Sequence, residues 1–243
     1  MTINAFAVLA GWADSSMSSA AYTINIPTQL PLSFTIPGLS GVARAIVKDS
    51  VSPGCTALPN CLIVGGSFTS AGGVAEVNNI VKIKSDGSFA ALGTGMNGLV
   101  NALAIDSAGN LYAGGFFTTA GGVPAIKVAK WNEASSSWSA LGTPTNPGMS
   151  VENSTVLALA LDTAGNLYAG GAFRRADRSF VDRISKWDGT SWSSLDDGVD
   201  DSVYALAVDS SGNLYAGGDF FTIGDSLVRP FVAKFVTSIS SWF

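Results

Sequence analysis

The chain has 243 residues, 13 Lys plus Arg against 18 Asp plus Glu, a net charge of −5, 28 glycines and no histidine. Without histidine it cannot build a Ser-His-Asp or Cys-His nucleophile, nor a His-ligated zinc or haem site. An acidic chain with no basic patch is a poor nucleic-acid binder, and no run of 18 apolar residues offers a membrane-spanning helix.

In chain order, residues 2–24 read TINAFAVLAGWADSSMSSAAYTI, with strand–turn–strand alternation. The INAFAV run, the Asp14-Ser15-Ser16 turn and Ser19 to Ile24 resemble the last strands of the Ig-like domain at the C-terminus of chitobiase and β-hexosaminidase proteins. A sandwich of about 100 residues does not fit in this segment, so residues 1–24 are expected to be the stub of such a domain. Residues 25–41 are expected to be a linker with two prolines in NIPTQLPL, followed by a candidate closing strand at Ser33 to Ile36. The first basic residue is Arg44, so no basic n-region of a secretory signal precedes it. This start is read as lying inside a longer protein or as missing its true beginning.

Residues 42–66 begin a repeat. VARAIVKDS is followed by an insertion holding Cys55 and Cys61, then CLIVGG. Two cysteines without histidine cannot form a structural zinc site. They read as a small disulfide-closed loop, which would imply an oxidising compartment, or as two reduced thiols.

Three clearer copies follow: VNALAIDSAGNLYAGG at 100–115, VLALALDTAGNLYAGG at 156–171 and VYALAVDSSGNLYAGG at 203–218. Paired glycines recur at Gly65-Gly66, Gly114-Gly115, Gly170-Gly171 and Gly217-Gly218, about 50 residues apart, a propeller-blade period. In the second copy, Val100 to Asp106 and Leu111 to Phe117 are strand-like, joined by the Ser107-Ala108-Gly109-Asn110 turn. TTAGGVP (118–124) reads as a loop, and Ile126 to Trp131 and Trp138 to Leu141 as a third and fourth strand. No helical period is sustained. The predicted fold is therefore all-β, a β-propeller of four-stranded antiparallel blades at approximately 42–99, 100–155, 156–202 and 203–243. The glycine pairs are assigned to close backbone approach. Tyr112, Tyr168 and Tyr215 are assigned to inter-blade packing. Trp131, Trp138, Trp187 and Trp192 are assigned to packing between blades rather than to ligand platforms.

The pattern V.ALA.D..GNLYAGG.F..AGG, with AKW and SWSALG, resembles kelch-related propeller repeats. It is similar to repeats of fungal cortical cell-polarity marker proteins and of large bacterial surface or secreted proteins. The resemblance covers about 42–243, is specific for fold and says little about function. The first copy departs from it at the cysteine insertion. The third departs where Arg174-Arg175-Ala176-Asp177-Arg178 replaces TTAGG.

Three sets of charged residues are candidate sites. Asp49, Asp106, Asp162 and Asp209 each precede a hairpin turn and read as turn caps, with a ring of calcium or substrate ligands as the alternative. Arg174, Arg175, Arg178 and Arg183 form the one basic cluster. It could grip a carboxylate or phosphate, or pair locally with Asp177 and Asp182. Asp196, Asp197, Asp200 and Asp201 form an acidic run that reads as a cation site or a solvated loop. Glutamate occurs only at Glu76, Glu133 and Glu152, and nothing marks a carboxylate pair for glycoside hydrolysis.

The chain is expected to be a non-catalytic interaction or structural module of a larger exported or surface protein. It would bind a protein or glycan partner through propeller loops, with no cofactor, metal, nucleic acid or membrane insertion. The alternative is the accessory propeller of a carbohydrate-processing enzyme. Four repeats could close as a ring, with Ser33 to Ile36 completing the last blade, or form an open row.

Overall fold

The computed structural model describes residues 38–56, 60–75, 77–142, 148–149, 154–176, 179–180, 183–224, 227–228 and 230–243. The stub, the linker up to residue 37 and the candidate closing strand lie outside these. The described region belongs to a unit running from Ile36 to Phe243.

Four sheets follow one another along the chain. The first blade contains β1 (Val42–Asp49), β2 (Cys61–Ser67), a small hairpin of β3 (Ser70–Ala71) and β4 (Val74–Ala75), then β5 (Ile80–Ile83) and β6 (Phe89–Ala91). The second has β7 (Leu99–Ile105), β8 (Leu111–Phe116), β9 (Thr119–Ala120), β10 (Val123–Pro124), β11 (Val128–Asn132) and β12 (Ser137–Ala140). The third has β13 (Thr155–Leu161), β14 (Leu167–Ala172), β15 (Arg175–Ala176), β16 (Ser179–Phe180), β17 (Ile184–Trp187) and β18 (Trp192–Ser194). The fourth has β19 (Val203–Val208), β20 (Leu214–Gly218), β21 (Thr222–Ile223), β22 (Leu227–Val228), β23 (Val232–Val236) and β24 (Ser241–Trp242).

Each blade is a four-stranded antiparallel meander, ordered β1-β2-β5-β6 in the first case, with its small hairpin as a separate two-stranded ladder. The segment expected to be the TTAGGVP loop is therefore a hairpin, Thr119 pairing with Pro124 and Ala120 with Val123. Its two-residue strands are too short to leave a period in the sequence. β7 and β13 start at Leu99 and Thr155, one residue before the expected boundaries.

The blades stack through their first strands, β1 on β7, β7 on β13 and β13 on β19. The paired glycines serve this stacking in two different ways. The first glycine of the first three pairs faces the next blade. A Cβ on Gly114 would lie 2.5 Å from Val156 Cγ1, and one on Gly170 would lie 2.6 Å from Val203 Cγ1, with Val100 closing on Gly65 in the same manner. The second glycine faces its own first strand. A Cβ there would strike the carbonyl oxygen of Val42, Leu99, Thr155 or Ser202. Beside that contact the first strand bulges, at Arg44, Asn101, Leu157 and Tyr204.

The aromatic residues close each blade onto the one before it. Trp131 packs on Trp138 and Trp187 on Trp192, with ring centroids 5.4 Å apart in each pair, and Phe235 packs on Trp242 at 5.1 Å. The outer-strand tryptophans then donate across the junction: Trp138 Nε1 to Leu92 O at 2.8 Å, and Trp192 to Leu141 O and Trp242 to Leu195 O at 2.9 Å each.

Burial at equivalent positions corrects the expectation for Tyr215. Tyr112 and Tyr168 are 5% and 0% exposed, but Tyr215 is 37% exposed. Ile80, Val128 and Ile184 are each 0% exposed, and the fourth-blade equivalent, Val232, is 65%. At the other end, Ile46 of the first strand is 65% exposed. Among the described residues nothing covers the outward faces of the first and fourth blades. Over the described residues the four sheets form an open row, and the closing strand expected at Ser33 to Ile36 lies outside them.

Candidate functional site

The row has two ends of different chemistry. At one end lie the four small hairpins and the connections between blades. At the other lie the turns joining first to second strands.

The hairpin end is held by side chains that take over backbone roles. Just before the third strand of each blade, Asn79, Lys127, Arg183 and Phe231 adopt left-handed φ values of 67°, 66°, 65° and 71°. These are four dissimilar side chains in a conformation that L residues disfavour. Two backbone bonds hold each one. Its N–H donates to the carbonyl of Phe68, Phe117, Phe173 or Phe220, and its own carbonyl accepts from Gly66, Gly115, Gly171 or Gly218.

A second set clamps the hairpins. Ser40 Oγ accepts from Thr69 N and Ser70 N at 3.0 Å each. Asn97 Oδ1 accepts from Thr118 N at 2.8 Å and Thr119 N at 3.0 Å. Asp200 Oδ1 accepts from Phe221 N and Thr222 N at the same two distances. Burial pushes the Asp200 carboxyl up, but the Thr222 and Phe221 amides outweigh it and hold the group below the usual carboxylate range.

Between the first two hairpins lies a cleft of about 450 Å³. Thr69, Asn78, Thr94, Asn97 and Thr119 contribute its polar walls, and Met96 its apolar patch. Asn78 Nδ2 donates to Thr94 O at 3.0 Å, and Asn79 Nδ2 to Met96 O at 2.9 Å. Among the described residues no formal charge lines this cleft. In the second blade, the buried Lys127 ammonium lies 3.7 Å from the centre of the Phe116 ring, and burial lowers its pKa.

The turn end is built on the aspartates. Asp106 Oδ1 accepts from Ala108 N and Asn110 N, while Oδ2 takes the Asn110 amide at 2.8 Å and the Tyr112 hydroxyl at 3.3 Å. Asp162 does the same with Ala164, Asn166 and Tyr168, and Asp209 with Ser211, Asn213 and Tyr215. Burial, then the charge of Asp106 and its hydrogen bond, push the Tyr112 hydroxyl up to about 12. Tyr168 is raised further by the same causes.

Asp49 departs from this pattern. Its Oδ1 accepts from Val51 N and Ser52 N, but its Oδ2 faces the Lys82 ammonium at 3.1 Å, with no donor aligned on it. Lys82 also pairs with Glu133 of the second blade at 2.9 Å, and Glu133 Oε2 accepts from Trp131 Nε1 at 2.9 Å. Burial pushes Asp49 up, yet its bonds from Ser52 and Val51 and the Lys82 ammonium outweigh that and keep it low. This ion triad borders a cleft of about 420 Å³ reaching to the Cys55–Cys61 disulfide. The triad was missed in the sequence because Lys82 and Glu133 lie 51 residues apart, in different blades.

The acidic run divides. Asp200 clamps a hairpin, Asp201 Oδ1 takes Ser202 N, and Asp196 and Asp197 are exposed in the turn between the buried Leu195 and Gly198. Of the arginines, Arg174 leads into the third hairpin, Arg175 pairs with Phe180 in its ladder, and Arg183 occupies the left-handed position. Arg178 lies outside the described residues, as do Asp177 and Asp182.

No family model matches the chain, and no curated protein matches it. Several solved structures align with it. The extracellular domain of the one-component system BT4673 from B. thetaiotaomicron does so at 16% identity, over 73% of this chain and 20% of its own, with a TM-score of 0.45. PorZ, a bacterial surface component of the type-IX secretion system of Porphyromonas gingivalis, aligns at 17% identity over 78% of this chain and 24% of its own, also at 0.45. YCF48, solved with a D1 peptide, aligns at 11% identity over 86% of this chain and 72% of its own, at 0.34. The chain thus spans about a fifth of BT4673 and about a quarter of PorZ. Likeness at this level carries nothing about activity or partner.

Proposed function

We propose that the four blades form a non-catalytic interaction module of a larger exported or surface protein, and that the hairpin end binds a protein or glycan partner. The observation that carries this reading is the cleft between the first two hairpins, walled among the described residues by the uncharged Asn78, Asn97, Thr69, Thr94 and Thr119. Side-chain amides and hydroxyls both donate and accept, which suits sugar hydroxyls and peptide backbones alike. The Cys55–Cys61 disulfide supports export. The resemblance to kelch-type repeats of surface proteins agrees with the same setting.

Four of the carboxylates are unsuited to act as general acids. Asp49, Asp188, Asp200 and Asp209 all accept from nearby backbone amides and are held ionised. A general acid needs its pKa near the working pH.

The test is a glycan array and a panel of purified surface proteins, probed with the protein and with Thr94→Trp. Thr94 is exposed on the cleft wall, so the indole fills the cleft without entering the core. Binding by the native chain, lost at least ten-fold in Thr94→Trp, is the expected result. Binding that Thr94→Trp leaves intact would overturn the assignment of the cleft.

A further inference from the structure

One lysine recurs at the same repeat position in each blade, and in the first blade it meets a different neighbour. Lys130, Lys186 and Lys234 pair across the ladder with Tyr112, Tyr168 and Tyr215, and their ammoniums lie 5.4, 6.0 and 5.3 Å from the centres of those rings. The tyrosine hydroxyl and the asparagine amide of the turn then occupy the aspartate Oδ2. In the first blade Ile63 pairs with Lys82 in place of the tyrosine, and Cys61 stands opposite Asp49 in place of the asparagine. Both donors to Oδ2 are gone, and Lys82 reaches the carboxylate itself.

The contact has the parts of an amide-forming site. The side chains of Lys82 and Asp49 are 8% and 0% exposed, with Nζ 3.1 Å from Oδ2. Cys61, Leu92 and Trp131, all buried, line the same cleft as Lys82. Asp49 Oδ1 accepts from Val51 N at 3.1 Å and Ser52 N at 2.9 Å. These are two backbone donors aimed at the oxygen that carries charge in a tetrahedral intermediate. Glu133 Oε1, 2.9 Å from Nζ, is a proton acceptor beside the nucleophile, and Trp131 Nε1 fixes its other oxygen. Lys82 and Asp49 are charged only while the proton stays on nitrogen. Passing it to Oδ2 leaves an amine against a carboxylic acid, and burial favours that neutral pair over the ions.

We propose that Lys82 and Asp49 join in an intramolecular amide bond. Nζ attacks Cγ of Asp49, the N–C bond forms, and the bond from Cγ to Oδ2 breaks. The ammonium gives up two protons, one of them by way of Glu133. Both leave on Oδ2 as water, so no oxidant, cofactor or second reactant is consumed. The product is a covalent tie from the end of β1 to β5, across β2 and beside the Cys55–Cys61 disulfide. Glu133 comes from the second blade, so the reaction waits for the first two blades to stack.

Intact-mass spectrometry of the whole chain, reduced so that the disulfide adds no difference, tests this. The native protein, incubated folded at neutral pH, is expected to weigh one water less than its sequence mass. Trypsin should leave the peptide bond after Lys82 uncut, because an acylated lysine is not recognised. The missing water should lie in the fragment of residues 49–84. Lys82→Arg, whose guanidinium stays protonated, is expected to keep the full mass. Glu133→Gln is expected to lose water at least ten-fold more slowly. Circular dichroism checks that both variants fold. A folded native chain at full sequence mass and cut after Lys82, a water loss at Asp49 that persists in Lys82→Arg, or a Glu133→Gln chain reacting at the native rate would each overturn the proposal.

Discussion

Val156 of the third blade stands directly over Gly114 of the second, so that a Cβ on that glycine would lie 2.5 Å from Val156 Cγ1. The same relationship recurs at each internal junction and is missing at Gly217. One residue type at one repeat position therefore answers to two environments. Gly114→Ala is expected to cost about 1 to 3 kcal/mol through overpacking, or roughly 2 to 4 °C of Tm per kcal/mol for a chain of this size. Gly217→Ala is expected to shift Tm by no more than about 1 to 2 °C, a surface-sized effect. Thermal melts of the two variants side by side make the comparison.

The tryptophan that crosses each junction offers a second test. Trp138 is 6% exposed and donates Nε1 to Leu92 O. Trp138→Phe keeps most of the ring but leaves that carbonyl with only the Gly95 N–H at 3.2 Å, which is expected to cost about 0.5 to 1.5 kcal/mol. Urea unfolding followed by circular dichroism measures it, and a cost below about 0.5 kcal/mol would argue that the bond contributes little to the junction.

Stability against pH is expected to be flat between pH 5 and 8, since no histidine titrates there. Asp188 and Asp209 are held low mainly by hydrogen bonds, from Ser191 and Thr190 in the first case and from Asn213 in the second. Groups lowered on folding stabilise above their unfolded value of 3.8, and that stability is lost as pH falls through the lower native values. Tm should therefore begin to fall below about pH 4, and Asp209→Asn should flatten that slope.

The alkaline side follows from Tyr112. Its hydroxyl is raised from 10.0 to about 12. A group raised on folding stabilises fully below its unfolded value and loses that contribution as pH rises through the native one. Tm is expected to decline between pH 10 and about 12, the native value. Tyr112→Phe should reduce the decline while leaving the plateau near neutrality unchanged in shape. A decline of equal slope in that variant would assign it to other groups.

Reducing the Cys55–Cys61 bond opens a loop with a sequence separation of 6, which the chain-entropy account values at about 2 kcal/mol. An unfolding free energy that falls by this amount under reductant, measured by denaturant titration, is the expected result.

Much of the fold was legible because each blade repeats its turn chemistry and its glycine pair, and short strands between such turns admit few architectures. What stayed hidden depends on neighbours distant in sequence. Asn79, Lys127, Arg183 and Phe231 share a left-handed backbone but no side-chain chemistry. Two tertiary backbone bonds impose that conformation, so no residue pattern marks it. The Lys82–Glu133 pair is invisible for a similar reason, since it forms only when blades stack. Asp200 looked like part of an acidic run, yet it does the work of Asn97 and Ser40 at another hairpin. Tyr215 reads identically to Tyr112 and Tyr168, and its position in the repeat does not reveal whether a further blade lies against it.

Those three tyrosines give the most direct test of the open row. Hydroxyl-radical footprinting, at a concentration where sedimentation shows a monomer, compares them within one molecule. The open row requires rapid labelling of Tyr215 and protection of Tyr112 and Tyr168. Equal protection of all three would mean that the fourth blade is covered within a single chain, contradicting it.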